Sequence, residues 1–592
     1  MNLKLIINWF LIILCSFILS ANICYNLTSM ISLNKLDWNF NFIYTFSKLS
    51  DISLLYGTIL FYIIVMLVII RQTYHYKLKL LRKKELPKED GSFEYGSSRF
   101  ATEEEIKKKF KVWNVGNKLA TGGVPVTILN NKIYYDDSSD HTLIVGTTGS
   151  GKSVGLIMPL IFNLADAEES MIINDTKGEL YSMTANYLKD RGYNIRIINL
   201  RDALSSDGWN PLHLPYIYFK NNMKDEAGDM IENFTKALCK NLSSKDMYWE
   251  KSANAVLTAL CYALIEDAPK EEQVNLFSIY NLLVEHGSKN IDRFNSLDLY
   301  FQQKPVGSLS KMSYATGSFA KGETRATLFS VIATVIKMFS DTGIANLTSR
   351  TDFELDSIGR EKSAVFLIIP DEKESRHELA TLFIDQCYQA LVNTAQSTEK
   401  GTLPVRVNFI LDEFANMPVM NMASPITVSR GRHIRYYLVV QDFSMLKEKY
   451  KEVASIIKSN TNNWIYLLTA DNDTAKEIST RLGKYTTSSS RVSVSSRISS
   501  IDDNISNDKS LLGRELLMPE ELIRFQFGEG LFLKTRMFPV KTYLKPIQEY
   551  NIKIKKAIIP KKEIVYVPEC FDLNKFRERK VIEEMDNRVE LQ

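Results

Sequence analysis

His141-Thr142-Leu143-Ile144-Val145, followed without a break by Gly146-Thr147-Thr148-Gly149-Ser150-Gly151-Lys152-Ser153, decides the fold. The first five residues read as a short buried strand, and the next eight complete the G-x-x-x-x-G-K-[ST] pattern of a P-loop. Glycines at this spacing let backbone N–H groups turn inward around phosphates, Lys152 reaches the β- and γ-oxygens, and the Ser153 hydroxyl ligates Mg²⁺. Val154 to Leu164 continues as a helix whose N-terminus faces the phosphate charge. Gly146, Thr147, Thr148, Gly149, Ser150, Gly151, Lys152 and Ser153 are therefore the expected nucleotide-binding residues, with ATP and Mg²⁺ as cofactors.

Such a site needs an acid at the end of a second buried strand, and Val407-Asn408-Phe409-Ile410-Leu411-Asp412-Glu413 supplies it. Alone, the run could be any strand entering a solvated loop. Behind a P-loop, Asp412 is expected to join Ser153 in holding the metal and Glu413 to take the proton from the attacking water. A third strand, Arg435 to Val440, ends at Gln441. A lone glutamine there is otherwise a plain surface residue, but its order after the acid strand suits a contact to the γ-phosphate or the lytic water.

Lys152 and Asp412 lie 260 residues apart, more than one nucleotide core needs between these motifs. Met171 to Asp175 and Ile195 to Leu200 read as further core strands, ending near Trp209-Asn210-Pro211-Leu212. Helical periodicity then takes over: Ala227, Met230, Ile231, Phe234 and Leu238 share one face, as do Trp249, Ala253, Val256, Leu257, Leu260 and Leu264. An all-α domain inserted in an α/β core is expected over residues 222–320, with the nucleotide-binding domain divided into 76–221 and 321–545. Strand character returns at Ala364 to Ile369. The serine-rich stretch from Thr486 to Asn507 reads as a mobile loop, and residues 546–592 as a peripheral tail.

Toward the N-terminus, Leu5 to Asn34 carries no charge, and neither does Ile52 to Ile70. Arg71, Lys77, Lys79, Arg82, Lys83 and Lys84 follow the second run before any acid appears. Two transmembrane helices over residues 1–75, with the N-terminus and the long body in the cytoplasm, are the expectation. The first run could also be a signal peptide, yet it exceeds the usual 7–15-residue apolar core of one. The remaining bulk properties discriminate little. A chain of 592 residues, 45% apolar and 24% charged, folds into several domains, and a net charge of +4 names no partner. Six cysteines without a C-x-x-C pair argue against a zinc site or a disulfide framework.

Taken in order, these motifs resemble the type IV coupling proteins, the conjugal-transfer ATPase group of the VirD4 and TraG proteins. The matching landmarks are the two N-terminal spans, Gly96-Ser97-Ser98-Arg99-Phe100-Ala101, the P-loop, Asn174-Asp175-Thr176-Lys177-Gly178-Glu179, Trp209-Asn210-Pro211-Leu212, Leu411-Asp412-Glu413-Phe414, Ser429-Arg430-Gly431-Arg432, Gln441, and Leu511-Leu512-Gly513-Arg514-Glu515-Leu516-Leu517-Met518-Pro519-Glu520-Glu521-Leu522. They cover about residues 1–545. The resemblance implies an α/β, RecA-like P-loop ATPase core with the all-α insertion, a multi-pass location in the bacterial cell membrane, and assembly as a homo-hexamer. It further implies DNA, as a single strand with its attached relaxase, and the type IV secretion channel proteins as partners. In a ring of such subunits Arg430 looks like the arginine finger of a neighbouring site, with Arg432 its rival and a solvated or DNA-facing basic turn the plainer reading. Two other functions compete with this one, a chromosome-segregation translocase of the FtsK kind and an ATP-gated receptor for protein substrates. Glu413 argues against a receptor that never turns over ATP.

Overall fold

The computed structural model describes residues 3–33, 38–81, 88–89, 93–240, 247–291, 294–317, 323–370, 372–417, 419, 422–495, 504–550, 552–562 and 566–580. Two compact units result, Met1–Glu94 with Thr486–Leu512, and Tyr95–Tyr485 with Gly513–Gln592.

The larger unit is built on one nine-stranded sheet. Its strands are β1 (Thr142–Gly146), β2 (Ser170–Asp175), β3 (Asn194–Asn199), β4 (Ser363–Ile368), β5 (Val407–Leu411), β6 (Ile434–Val440), β7 (Asn463–Leu468), β8 (Glu529–Lys534) and β9 (Val540–Tyr543). Across the sheet the order is β9-β8-β7-β1-β6-β5-β2-β4-β3. Every pairing from β7 through to β3 is parallel, while β8 and β9 add an antiparallel margin. Parallel strands covered on both faces read as continuous apolar runs, and β1, β5 and β6 are buried at every residue. Alternate side chains feed two cores: Leu143 and Val145 face one, Ile144 the other.

The P-loop strand β1 and the acid strand β5 are not neighbours, because β6 lies between them. This interposed strand places the ends of three functional segments side by side. Between β3 and β4 the chain leaves the sheet and forms helices including Lys224–Cys239, Met247–Asp267, Leu276–Gly287 and Glu323–Ile336, with a two-stranded turn at Asn290–Ile291 and Phe294–Asn295. Leu257, Leu260 and Leu264 are wholly buried within the core that also holds Leu143 and Val145, so the helical layer and that face of the sheet share one apolar interior.

The segment after residue 546 differs from the peripheral tail expected of it. Ala557 N–H donates to the Ser182 carbonyl at 2.7 Å, and Lys562 Nζ lies 3.1 Å from Asp207 and 3.0 Å from Asp352. Farther on, Phe571 N–H donates to Ser278 Oγ at 3.0 Å and Arg577 Nη2 to the Ser296 carbonyl at 3.0 Å. Phe571 and Leu573 are 3% and 1% exposed. Over its described residues the segment is a strap running from the nucleotide-binding core to the helical layer; residues 581–592 of the expected tail lie outside the described residues.

In the smaller unit, helices Leu3–Leu33 and Ile52–Leu81 pack antiparallel, since Phe17 meets Tyr62 at 5.3 Å between ring centroids and Cys24 Sγ lies against Gly57. Leu14–Ser32 is long and apolar enough to cross a membrane; the second helix meets the same criterion only jointly with Phe42–Ser50, across a 118° bend. The serine-rich stretch departs from the loop expected. Strands Lys484–Ser495 and Asn504–Glu515 pair with each other, and the first also pairs with Lys88–Glu89. Residues 496–503 of that stretch lie outside the described residues.

Candidate functional site

The P-loop leaves the middle of the sheet between two supports. Thr147 N–H donates to the Leu468 carbonyl at the end of β7 (3.0 Å), and Ser150 N–H donates back to the Thr147 carbonyl (3.1 Å), which closes the turn. Gly149 and Gly151 both have φ of +82°, where a side chain is strained. The predicted helix from Val154 begins two residues earlier and differently. Lys152–Ile157 winds as a π-helical turn before the α-helix Met158–Asp166, which carries Pro159 in its first turn.

Lys152 is 8% exposed, and its Nζ lies 3.2 Å from Asp412 Oδ1 and 3.9 Å from Glu413 Oε1. The P-loop lysine and the strand-end acids, 260 residues apart in sequence, thus meet in one cleft. Asp412 follows β5 directly, and its backbone carbonyl accepts a hydrogen bond from Asn174 Nδ2 on the adjacent β2. Glu413 occupies the left-handed region at φ +54°, uncommon for a residue with a side chain. Asn416 Nδ2 donates to its Oε2 at 3.2 Å and aims the carboxylate.

The cleft, about 300 Å³, is lined by Thr148, Gly149 and the stretch from Gly151 to Val154, by Asp175, Thr176, Lys177, Glu179 and Leu180, by Asp412 and Glu413, and by Phe527; Gly146, Thr147 and Ser150 of the P-loop do not line it. Ser153 and Asp412 line the same cleft, a hydroxyl and a carboxylate of the kind that hold Mg²⁺ together with phosphate oxygens and water. Among the described residues, no group of three His, Cys, Asp or Glu could hold a metal ion unaided. A larger groove of about 880 Å³ between helices Phe443–Tyr450, Val453–Asn460 and Asn472–Leu482 contains none of the predicted site residues.

The other two predicted catalytic residues fall elsewhere. Gln441 follows β6, whose Val440 pairs with Val145, so it stands at the same sheet end as the P-loop, yet it does not line the cleft. Arg430 lies in the turn Ser429–Arg432 that precedes β6, at the opposite end of the sheet. Seven residues of extended strand separate the two ends by about 20 Å. Its Nη1 lies 3.0 Å from Asp140 Oδ1 and the side chain is 52% exposed. Burial alone would raise the pKa of Asp140, but hydrogen bonds from Lys534 and Asn462 outweigh it and hold the group down at about 2. Within one chain, then, the structure joins Lys152, Ser153, Asp412 and Glu413 and leaves Arg430 apart.

Six lining residues, Asp175, Thr176, Lys177, Glu179, Leu180 and Phe527, have no role in the sequence reading, and two of them stand out. Asp175 ends β2, is 3% exposed and accepts the Tyr181 N–H at 2.7 Å; burial lifts its pKa to about 6 against the pull of backbone amides at Tyr181, Leu180, Gly178 and Lys177. A signal existed, since Asp175 closes a core strand as Asp412 follows one. Phe527 had none, being one aromatic among many in a Gly-flanked turn.

With this geometry in hand, comparison with known proteins is informative. A family model described as Type IV secretory system Conjugative DNA transfer matches residues 94–558. Conjugal transfer protein TraG of Escherichia coli is 23% identical over 406 residues, 65% of this chain and 61% of that protein. Protein VirD4 of Rhizobium radiobacter is 24% identical over 427 residues, 71% of this chain and 58% of that one. The chain thus spans about three-fifths of the length of these relatives. Among solved structures, the unbound coupling protein TrwBdeltaN70 aligns with a TM-score of 0.55 at 15% identity, covering 78% of this chain and 96% of that one. TrwB with a non-hydrolysable ATP analogue gives 0.55 at 14% identity, over 81% and 100%. At such identities the likeness is one of fold, and the core is a RecA-like P-loop α/β domain.

Proposed function

Since this chain belongs to the type IV secretory system conjugative DNA transfer family, we propose that it is a membrane-anchored ATPase coupling a DNA–relaxase substrate to a type IV secretion channel. The observation that supports this most is the approach of Lys152 to Asp412 and Glu413 across the mouth of the parallel sheet. A buried lysine held by two carboxylates in an open cleft is ready to exchange them for phosphate oxygens.

In that exchange Lys152 turns from Asp412 to the β- and γ-phosphates, and the P-loop amides cradle them. Bound Mg²⁺, held by Ser153 and Asp412, would neutralise phosphate charge. Glu413, fixed by its left-handed backbone and by Asn416, accepts the proton of the attacking water. Gln441, on the strand between the P-loop and the acid strand, reports the γ-phosphate after a side-chain turn toward the cleft. Arg430 is too far from its own cleft to act there, so it serves the site of a neighbouring subunit in a ring, proposed as a homo-hexamer.

The antiparallel helices Leu3–Leu33 and Ile52–Leu81 are proposed as a two-span anchor within residues 1–75, with the ATPase body in the cytoplasm. The six cations after Ile70 favour that orientation. Residues 222–320 are proposed as the inserted domain that meets the substrate, between the two parts of the nucleotide-binding domain, 76–221 and 321–545. The relatives are named for conjugal transfer and for plasmid coupling, in keeping with DNA and its relaxase as cargo.

The test is ATP hydrolysis by the full chain in detergent, with and without single-stranded DNA. Strong stimulation that falls steeply with salt is expected. Turnover indifferent to DNA would favour a receptor for protein substrates instead.

A further inference from the structure

Phe527 is 54% exposed and sits in the turn between the short helix Pro519–Leu522 and β8. Its neighbour two residues back, Phe525, does what an aromatic usually does: it packs on the core and meets the Tyr466 ring at 5.8 Å. Phe527 joins neither core. One side of its ring lies instead against the P-loop, where a Cβ added to Gly151 would come within 2.6 Å of Cε2, 3.1 Å of Cζ and 3.2 Å of Cδ2. Gly151 is therefore confined twice, by its positive φ and by this ring.

The turn that carries the ring is firmly held. Gln526 N–H donates to Glu529 Oε2 and Glu529 N–H to the Gln526 carbonyl, both at 3.0 Å. Gly528 has φ of +87°, and a Cβ there would lie 2.7 Å from the Leu544 carbonyl oxygen, while Leu544 N–H donates to the Gly528 carbonyl at 2.8 Å. An exposed aromatic ring is thus fixed at the rim of the cleft, on the β7–β8 side of the P-loop, away from Asp412 and Glu413 on the β5 side.

We propose that Phe527 is the platform on which the nucleotide base stacks. The assignment rests on the nucleotide reading of the cleft and adds its second end: lysine and carboxylates for the triphosphate, a bare ring for the base. Every base has a π-face, so stacking holds adenine and guanine alike without reading their edges.

The experiment is calorimetric titration of the full chain in detergent with a non-hydrolysable ATP analogue, its GTP counterpart and inorganic tripolyphosphate. Phe527→Ala should weaken both nucleotides by roughly 5- to 100-fold, the worth of stacking one base on one ring. Tripolyphosphate, which has no base, should bind within about twofold of wild type, and Phe527→Trp should restore nucleotide affinity. Unchanged nucleotide binding in Phe527→Ala would overturn the platform. So would equal losses for nucleotides and tripolyphosphate, because the ring would then merely support Gly151. Wild-type protein that binds none of the three ligands would overturn the nucleotide site itself, a separate failure.

Discussion

Lys152 and Glu413 share a cleft but answer to different tests, because in the proposed mechanism one carries charge to the phosphates and the other carries a proton. Lys152→Ala removes the only cation in ion-pair range of Asp412 among the described residues, and should abolish nucleotide binding as well as turnover. Glu413→Gln keeps the shape, and the Asn416 amide can still meet its side-chain oxygen, so binding should persist while hydrolysis slows by on the order of 10²–10⁴-fold. Equilibrium binding beside steady-state turnover separates the two outcomes; a Glu413→Gln protein with near-normal turnover would remove that residue from the base role. How much of this pair was legible beforehand follows from its chemistry. Glycine spacing and a strand-terminal acid are demands of phosphate binding that leave a pattern in sequence, whereas the contact of Phe527 with Gly151 leaves none. Its ring meets the P-loop through a turn whose position depends on β7, β8 and β9 folding back on one another.

At the scale of elements, β1, β5 and β6 were readable because both faces of a parallel strand are buried, so apolar residues run on without interruption. The strap after residue 546 was unreadable for the opposite reason. It is tied by single hydrogen bonds and ion pairs spaced along an extended chain, with Ile547, Tyr550, Phe571 and Leu573 as its buried apolar anchors and no regular period among them. The hairpin within 484–515 hid behind serines, which supply no apolar alternation to mark a strand. Arg430 illustrates a third limit: sequence order put it between the acid strand and Gln441, but which end of a sheet a residue occupies depends on strand direction. For the strap, Phe571→Ala should cost about 3 kcal/mol or more, as buried Phe truncations do, and should expose the helical layer to limited proteolysis while nucleotide affinity stays within about twofold. Unchanged proteolysis would show that the helices hold without it.

For the molecule as a whole, the proposed finger role of Arg430, which lies far from its own cleft, would make an oligomer a requirement for activity. Arg430→Ala and Lys152→Ala then spoil different halves of a shared site, and mixed rings would contain some interfaces with an intact P-loop and an intact arginine. Neither variant alone should hydrolyse ATP at more than a small fraction of the wild-type rate, a finger being worth roughly 10³–10⁵ in rate. Co-assembled, they should recover measurable turnover, read as ATPase activity against the mixing ratio; mixed rings that stay inactive would return Arg430 to the role of a surface ion pair with Asp140. The order of strands has a further consequence, for the ribosome. β1 ends at Gly146, yet its partners on either side, β6 and β7, begin at Ile434 and Asn463. At about 5–20 residues per second, this interior strand of the sheet waits roughly 15–60 s with both edges open, so a growing chain must shelter it from other chains until β6 and β7 have been made.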